Sequence, residues 1–146
     1  MKRLRSMRSM GSTNGAAAVE FALILGPFCV LLMGMIDYGW YFFVDLACTN
    51  AVRTGARNAT TYPGAIQACL PAAYAQGTQA TQTALNNLFP GDPQYAASAN
   101  CGCALGGGPP AVPQYQCTIG ANFRGLTGFT VAPLIPARIQ TASTMR

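Results

Sequence analysis

The longest apolar stretch of the chain lies close to its N-terminus. No charged residue occurs between Glu20 and Asp37, and apolar residues on both sides extend the stretch over about residues 16–44. A helix needs about 20 apolar residues to cross a membrane, and a helix that is apolar on every face has to be buried in a dry environment. The pattern therefore predicts a membrane-spanning helix. The Gly26-Pro27 step predicts a kink in it, because proline removes a backbone hydrogen bond.

The pattern changes after residue 61. Tyr62-Pro63-Gly64 predicts the end of the long helix. The next 25 or so residues are rich in alanine and glutamine, and Pro71 and Gly77 are expected to divide them. The part after Gly77 has the apolar spacing of a short helix that ends at Phe89.

Three further segments show moderate alternation of apolar and polar residues and are predicted to be strands. They are Tyr95–Ala104, Gln114–Phe123, and either Thr127–Ala132 or Ile139–Met145. We expect a small antiparallel sheet laid against the long helix. The predicted fold class is α+β: a long N-terminal transmembrane helix that continues into a small exported domain with a short helix and an antiparallel sheet. The predicted boundaries are a basic leader over 1–15, the transmembrane helix and its extension over 16–61, and the exported domain over 62–146.

The positive charge of the chain is concentrated ahead of the apolar stretch. The net charge is +5, and four basic residues fall within the first ten: Lys2, Arg3, Arg5 and Arg8. The five remaining arginines are scattered, which makes a poor footprint for nucleic acid. Basic residues beside a membrane helix indicate its cytoplasmic end. The N-terminus is therefore predicted to be cytoplasmic and the C-terminal part to lie across the membrane.

The residues that lead into the apolar stretch are the most informative in the chain. They read Gly15-Ala16-Ala17-Ala18-Val19-Glu20-Phe21. A carboxylate at the start of a membrane helix is costly and suggests a function. If a peptidase cuts after Gly15, Ala16 becomes a charged N-terminus one helical turn from Glu20, which could neutralise that amine or the amine of a neighbouring subunit. The other interpretation is a flexible hinge followed by an incidental Glu20.

This arrangement resembles the class III signal of type IV prepilins. The wider segment from about residue 14 to 60 is similar to the TadE family of minor pseudopilins, which belong to the tight-adherence (Tad/Flp) pilus. The similarity includes Pro27, the Asp37-Tyr38-Gly39 step and the segment that ends at Arg57. Flagellin-like relatives usually have tyrosine after the glutamate, whereas this chain has Phe21, as TadE-like proteins commonly do.

The resemblance implies a minor pseudopilin needed for assembly of a Tad/Flp pilus. It implies a single-pass protein of the bacterial inner membrane, cleaved by a prepilin peptidase between Gly15 and Ala16, with a periplasmic C-terminal domain. The implied partners are membrane lipid, the prepilin peptidase, other pilins and pseudopilins, and the assembly platform with its ATPase. In this reading Glu20 and Phe21 serve subunit docking, and the protein can enter the pilus. The alternative is an uncleaved, membrane-anchored accessory or adhesin-like protein.

Four of the six cysteines fall in the predicted exported domain: Cys69, Cys101, Cys103 and Cys117. They are expected to form two disulfides, since the periplasm is oxidising and a thin core gains from such links. Cys101 and Cys103 are too close in sequence to favour bonding each other. That leaves Cys69–Cys101 with Cys103–Cys117, or Cys69–Cys103 with Cys101–Cys117. A zinc site is the alternative, although the spacing lacks paired C-x-x-C motifs.

An enzymatic function is not expected. The chain has no histidine, and its four carboxylates are scattered, so the usual general bases and paired acids are missing. Gly106–Gly108 precedes prolines rather than the Lys-Ser/Thr of a phosphate-binding loop. The sequence predicts no catalytic residue, no cofactor and no bound metal.

Overall fold

The computed structural model describes residues 13–106, 111–127 and 136–146. In chain order the elements are α1 (Thr13–Thr60), α2 (Pro71–Leu88), α3 (Gln94–Ala97), β1 (Ala99–Leu105), β2 (Pro113–Asn122) and β3 (Arg138–Met145). The strands form one antiparallel sheet in the order β1-β2-β3. The predicted α+β fold, a long apolar helix followed by a small domain with a short helix and a sheet, is confirmed.

The long helix α1 has two parts with different surroundings. Its 48 residues run without a break through Pro27, and span about 72 Å at 1.5 Å per residue. Residues 15–36 are almost entirely exposed, whereas from residue 44 onwards one face is buried. The buried apolar positions recur every three or four residues, as packing on one helical face requires: Val44, Ala47, Cys48, Ala51, Val52, Ala56 and Ala59. A kink at Gly26-Pro27 stays a prediction.

The second helix packs very closely against this buried face. A Cβ atom placed on Gly55 would lie 2.7 Å from the backbone oxygen of Gly77 in α2, and one placed on Gly77 would lie 2.8 Å from the backbone oxygen of Gly55. The sequence prediction that Gly77 divides this region is wrong, because α2 runs through Gly77 to Leu88. The glycine allows two helix backbones to approach each other, and Pro71 occupies the first turn, where its missing N–H costs little.

The sheet lies with one face against the helices. Positions along β2 alternate between buried and less buried, and Tyr115, Cys117 and Ile119 belong to the buried set. Their neighbours Gln116 and Thr118 are exposed. This period-two alternation is that of a sheet with one covered face and one open face.

Two predicted strands differ in their extent from those observed. The first begins at Ala99 rather than Tyr95, because Pro93 is followed by the short helix α3. This helix turns the Tyr95 ring into the core, where its centroid lies 4.9 Å from that of Phe89. The third strand is β3, which corresponds to the second of the two options. In the other option, Thr127 lies in a bend and the remaining residues fall outside the described ranges.

One disulfide joins the sheet to the segment just before α2, and a second links two of its strands. They join Cys69 to Cys103 and Cys101 to Cys117, the second of the two pairings left open by the sequence. Cys101 and Cys117 are directly opposite each other in the β1–β2 ladder. Since all four sulfurs are in disulfides, none is a free thiolate for the alternative zinc site. Among the described residues, Cys29 on the exposed part of α1 and Cys48 in the core are free thiols.

Candidate functional site

The residues predicted to serve processing and docking lie on the uncovered part of α1. Gly15, Ala16, Glu20 and Phe21 are all exposed and helical, and Phe21 retains 65% of its accessible surface. Ala16 and Glu20 lie one turn apart on the same face, as their spacing predicts. The structure therefore brings these residues together through helix geometry alone. Their roles in cleavage and docking stay predictions.

This uncovered part has the dimensions of a membrane span. Residues 16–36 form a helix about 31 Å long, which matches a hydrocarbon core of about 30 Å. The described helix over Gly15–Thr60 is long and apolar enough to cross a membrane, with a mean hydropathy of 2.2 in its most apolar window and none of that window buried. Such a helix suggests a membrane anchor. Large apolar side chains exposed all around it would otherwise meet water.

Asp37 marks the point where α1 passes from exposed to packed. Its side chain is only 1% exposed. The backbone N–H of Thr127 donates a hydrogen bond to Oδ1 of Asp37 at 3.0 Å, and the Thr127 hydroxyl donates a second bond to Oδ2. A Cβ placed on Gly125 would lie 3.3 Å from the same carboxylate. The buried carboxylate of Asp37 thus receives its hydrogen-bond donors from a residue 90 positions further along the chain.

Residues 123–127, which we call the junction loop, are attached to the helix at more than one point. The Phe123 ring contacts Tyr41 edge to face, with centroids 5.3 Å apart, and the Phe123 N–H donates to the carbonyl of Ala137 at 2.9 Å. The backbone of Arg124 hydrogen-bonds the Tyr95 hydroxyl. Burial raises the pKa of the Tyr95 phenol, with the Asp92 charge adding to the rise, so this hydroxyl stays protonated at neutral pH.

The aromatic residues after Asp37 divide between the surface and the domain. Tyr38 is 48% exposed and its ring lies edge-on to Phe42 at 4.8 Å. Trp40 and Tyr41 are only partly exposed, since Trp40 contacts Phe89 and Tyr41 contacts Phe123. Tyr38, Trp40 and Tyr41 follow the apolar segment, where aromatic residues are typical of a membrane interface, and Tyr38 is the most exposed of the three.

In the sequence, Asp37 stands out as the end of the apolar run and as part of the Asp37-Tyr38-Gly39 step, and neither feature assigns it a partner. Its partner Thr127 could not be found that way, since the two residues are brought together by the return of the chain after β2. The available signal was the carboxylate itself, because an acidic residue on the buried face of a helix needs hydrogen-bond donors.

We predict that Asp37→Ala detaches the junction loop. The substitution removes the Asp37 oxygens that accept hydrogen bonds from the Thr127 N–H and hydroxyl, and the loss of hydrogen bonds to a buried charge costs about 2 kcal/mol. Amide hydrogen exchange at Thr127 should rise and the melting temperature should fall. The control is Asp45→Ala on the same helix, where the residue is only half-buried and should leave Thr127 exchange unchanged. Equal exchange at Thr127 in both variants would contradict the assigned bond.

Comparison with known families gives one match to this region. Residues 15–57 match the family model described as TadE-like protein. The match covers the exposed part of α1, Asp37 and the helical face that packs against α2, and it leaves α2 and the sheet outside. Neither the curated proteins nor the solved structures contain a match to the chain. The resemblance seen in the sequence is therefore confirmed over residues 15–57: this segment is similar to TadE-like proteins, a family associated with the Tad pilus.

Proposed function

We propose that this protein is a minor pseudopilin needed for assembly of a Tad/Flp pilus, a structural rather than a catalytic protein. The observation that carries the proposal is the division of α1. One part is fixed in the C-terminal domain, while residues 15–36 offer apolar side chains on every face. Such a helix can be held in lipid and can also pack against equally apolar helices of other subunits.

The proposal places the protein in the bacterial inner membrane. The basic residues ahead of the helix favour a cytoplasmic N-terminus, so the C-terminal domain would be periplasmic. Two disulfides in that domain agree with an oxidising compartment. The proposed partners are the prepilin peptidase, other pilins and pseudopilins, and the assembly platform and ATPase that move subunits out of the bilayer.

Glu20 has a specific role in this proposal. After cleavage the amine of Ala16 is a buried positive charge whenever the helix packs in lipid or in a filament. A carboxylate one turn further along neutralises it, either in the same chain or in a neighbour. An unpaired charge there is costly, and the pairing therefore selects a particular register between subunits.

We expect Glu20→Gln to abolish or severely reduce pilus assembly while leaving the protein in the membrane. Glutamine keeps the size and removes the charge, so a loss of assembly reports on the carboxylate. Val19→Leu, an exposed apolar change at the neighbouring position, is the control and should assemble normally. Pilus yield, measured by shearing and immunoblotting, decides the result. Wild-type yield for Glu20→Gln would remove the role assigned to Glu20.

Cleavage is tested by the intact mass of the membrane protein. We expect loss of residues 1–15 in cells with an active prepilin peptidase and the full-length mass in cells without it. Gly15→Leu should block processing, because a narrow protease site accepts glycine and excludes a branched side chain. A full-length protein in peptidase-positive cells would contradict the processed pseudopilin.

That outcome would favour the second candidate, an uncleaved, membrane-anchored accessory or adhesin-like protein of the pilus system. One observation supports this candidate. The helix α1 begins at Thr13, so the bond between Gly15 and Ala16 lies within a helix rather than in an extended segment. Peptidases generally bind extended backbone, because the scissile carbonyl is then not engaged in a helical hydrogen bond.

A further inference from the structure

The junction loop is held at one defined level along α1. Thr127 is bonded to Asp37 through its backbone N–H and its hydroxyl, and Phe123 packs on Tyr41 one turn further along the helix. Arg124, Gly125 and Leu126 lie between these two attachments. Their height along the helix axis is therefore set by Asp37 and Tyr41.

That level coincides with the end of the apolar segment. Residues 16–36 account for about 31 Å, the thickness of a hydrocarbon core, and Asp37 is the next residue. If the segment spans the bilayer, the junction loop lies where acyl chains meet headgroups. Tyr38, which is half exposed at the same level, is a residue type enriched at that boundary.

The side chains that the loop presents at this level fit a lipid interface. Leu126 is 65% exposed. This exposure is kept although Thr127 on one side is hydrogen-bonded to Asp37 and Gly125 on the other side packs against the same carboxylate. Arg124 is exposed two residues earlier. An apolar side chain beside a guanidinium suits the edge of the acyl region next to phosphate groups, since arginine pairs geometrically with phosphate and juxtamembrane basic residues are attracted to anionic lipids.

We propose that the junction loop is a second membrane contact of this protein, in which Leu126 enters the lipid interface and Arg124 binds phospholipid phosphate. The contact would hold the C-terminal domain against the bilayer at a fixed tilt, with the helix as one support and the loop as the other. The proposal rests on the membrane insertion proposed above. It predicts that the domain and α1, which are packed together, keep one tilt against the bilayer while the subunit is stored in the membrane.

The test uses tryptophan depth measurements on the full chain in vesicles of phosphatidylethanolamine and phosphatidylglycerol. The chain contains one tryptophan, so Trp40→Phe provides a silent background. Three single-tryptophan variants are then compared: Leu126→Trp, Leu31→Trp within the apolar segment, and Ile66→Trp. Ile66 is 77% exposed and follows the far end of α1, about 35 Å beyond Asp37 along the helix, which makes it the matched exposed control.

Lipids brominated near the headgroup end of the acyl chains should quench Leu126→Trp emission by about half, as for aromatic rings held at the interface. Ile66→Trp should be unaffected, and Leu31→Trp should be quenched most by bromine deeper in the chains. If Leu31→Trp is not quenched, membrane insertion and the proposed function fail. If Leu31→Trp is quenched but Leu126→Trp behaves like Ile66→Trp, the insertion stands and the second contact is overturned, which would point to water or a protein partner at the loop.

The role of Arg124 is tested separately. Adding Arg124→Gln to Leu126→Trp should reduce quenching in vesicles with phosphatidylglycerol and change it little in vesicles with neutral lipid only, because the lost interaction is with anionic headgroups. Arg138 on β3 provides the control, because its side chain lies across Gly120 on the open face of the sheet, and Arg138→Gln should leave quenching unchanged. Equal effects of the two arginine variants would overturn phosphate binding by Arg124.

Discussion

Replacing Gly55 by alanine is expected to lower the melting temperature of the C-terminal domain by roughly 10 °C or more, a loss of about 2 kcal/mol. The added Cβ would collide with the Thr81 hydroxyl and would lie 2.7 Å from the backbone oxygen of Gly77. The Thr81 side chain can rotate, although its hydroxyl is bonded to that same oxygen. The Gly77 backbone cannot move unless α2 shifts away from α1 and opens the core.

The size of this effect is decided by two opposing terms. Alanine in place of glycine inside a helix is favourable by about 1 kcal/mol, so the steric cost has to exceed that gain. Gly39→Ala on the same helix provides the matched control, because a Cβ there meets nothing within 4 Å. We expect it to be neutral or slightly stabilising. Thermal unfolding of both variants followed by circular dichroism would contradict the close helix contact if Gly55→Ala melted at or above the wild-type temperature.

Reduction of both disulfides is expected to unfold the C-terminal domain while the membrane segment remains helical. The Cys69–Cys103 and Cys101–Cys117 bonds close sequence separations of 34 and 16 residues. Each such crosslink stabilises by about 3 kcal/mol in the chain-entropy model. Together they are comparable with the whole stability of a small domain, about 5 kcal/mol at the low end of the usual range. Loss of near-ultraviolet circular dichroism on reduction is the expected signal.

A double variant separates the crosslink from the volume of the sulfur atoms. Cys101→Ala with Cys117→Ala removes the more buried disulfide, and we expect it to lower the unfolding free energy by about 3 kcal/mol. Cys48→Ala makes the same truncation in the same core at a free, fully buried thiol and should cost clearly less. Comparable losses in the two proteins would mean that packing, rather than the crosslink, holds β1 against β2.

The extent of the family match has a structural meaning. Residues 15–57 include Gly55 and Asp37 as well as the apolar segment, so they contain both the exposed part of α1 and the face that receives the domain. The disulfides, α2 and the sheet lie outside the match. The matched segment thus combines one surface for the membrane or other helices with one surface for the domain, and a single helix carries both.

The sequence by itself determined the parts of this protein that depend on local pattern. The apolar run from residue 21 to 36 specifies an uncovered helix, Tyr62-Pro63-Gly64 follows its end, and the spacing of Ala16 and Glu20 places them on one face. Four cysteines in a glycine- and proline-rich domain indicated two disulfides. Each of these features follows from residues close together in the chain, for which helical periodicity and turn chemistry are sufficient guides.

Only the tertiary structure decided the features that join distant segments. It selected Cys69–Cys103 with Cys101–Cys117, because β1 and β2 pair in a register that sets Cys101 opposite Cys117. It also decided that α2 continues through Gly77, where the low helix propensity of glycine had suggested a break. The absence of a side chain at Gly77 lets α2 approach Gly55 closely. The tertiary structure also joined Asp37 to Thr127, because the chain returns to α1 after β2 and a buried carboxylate requires donors that no local pattern could identify.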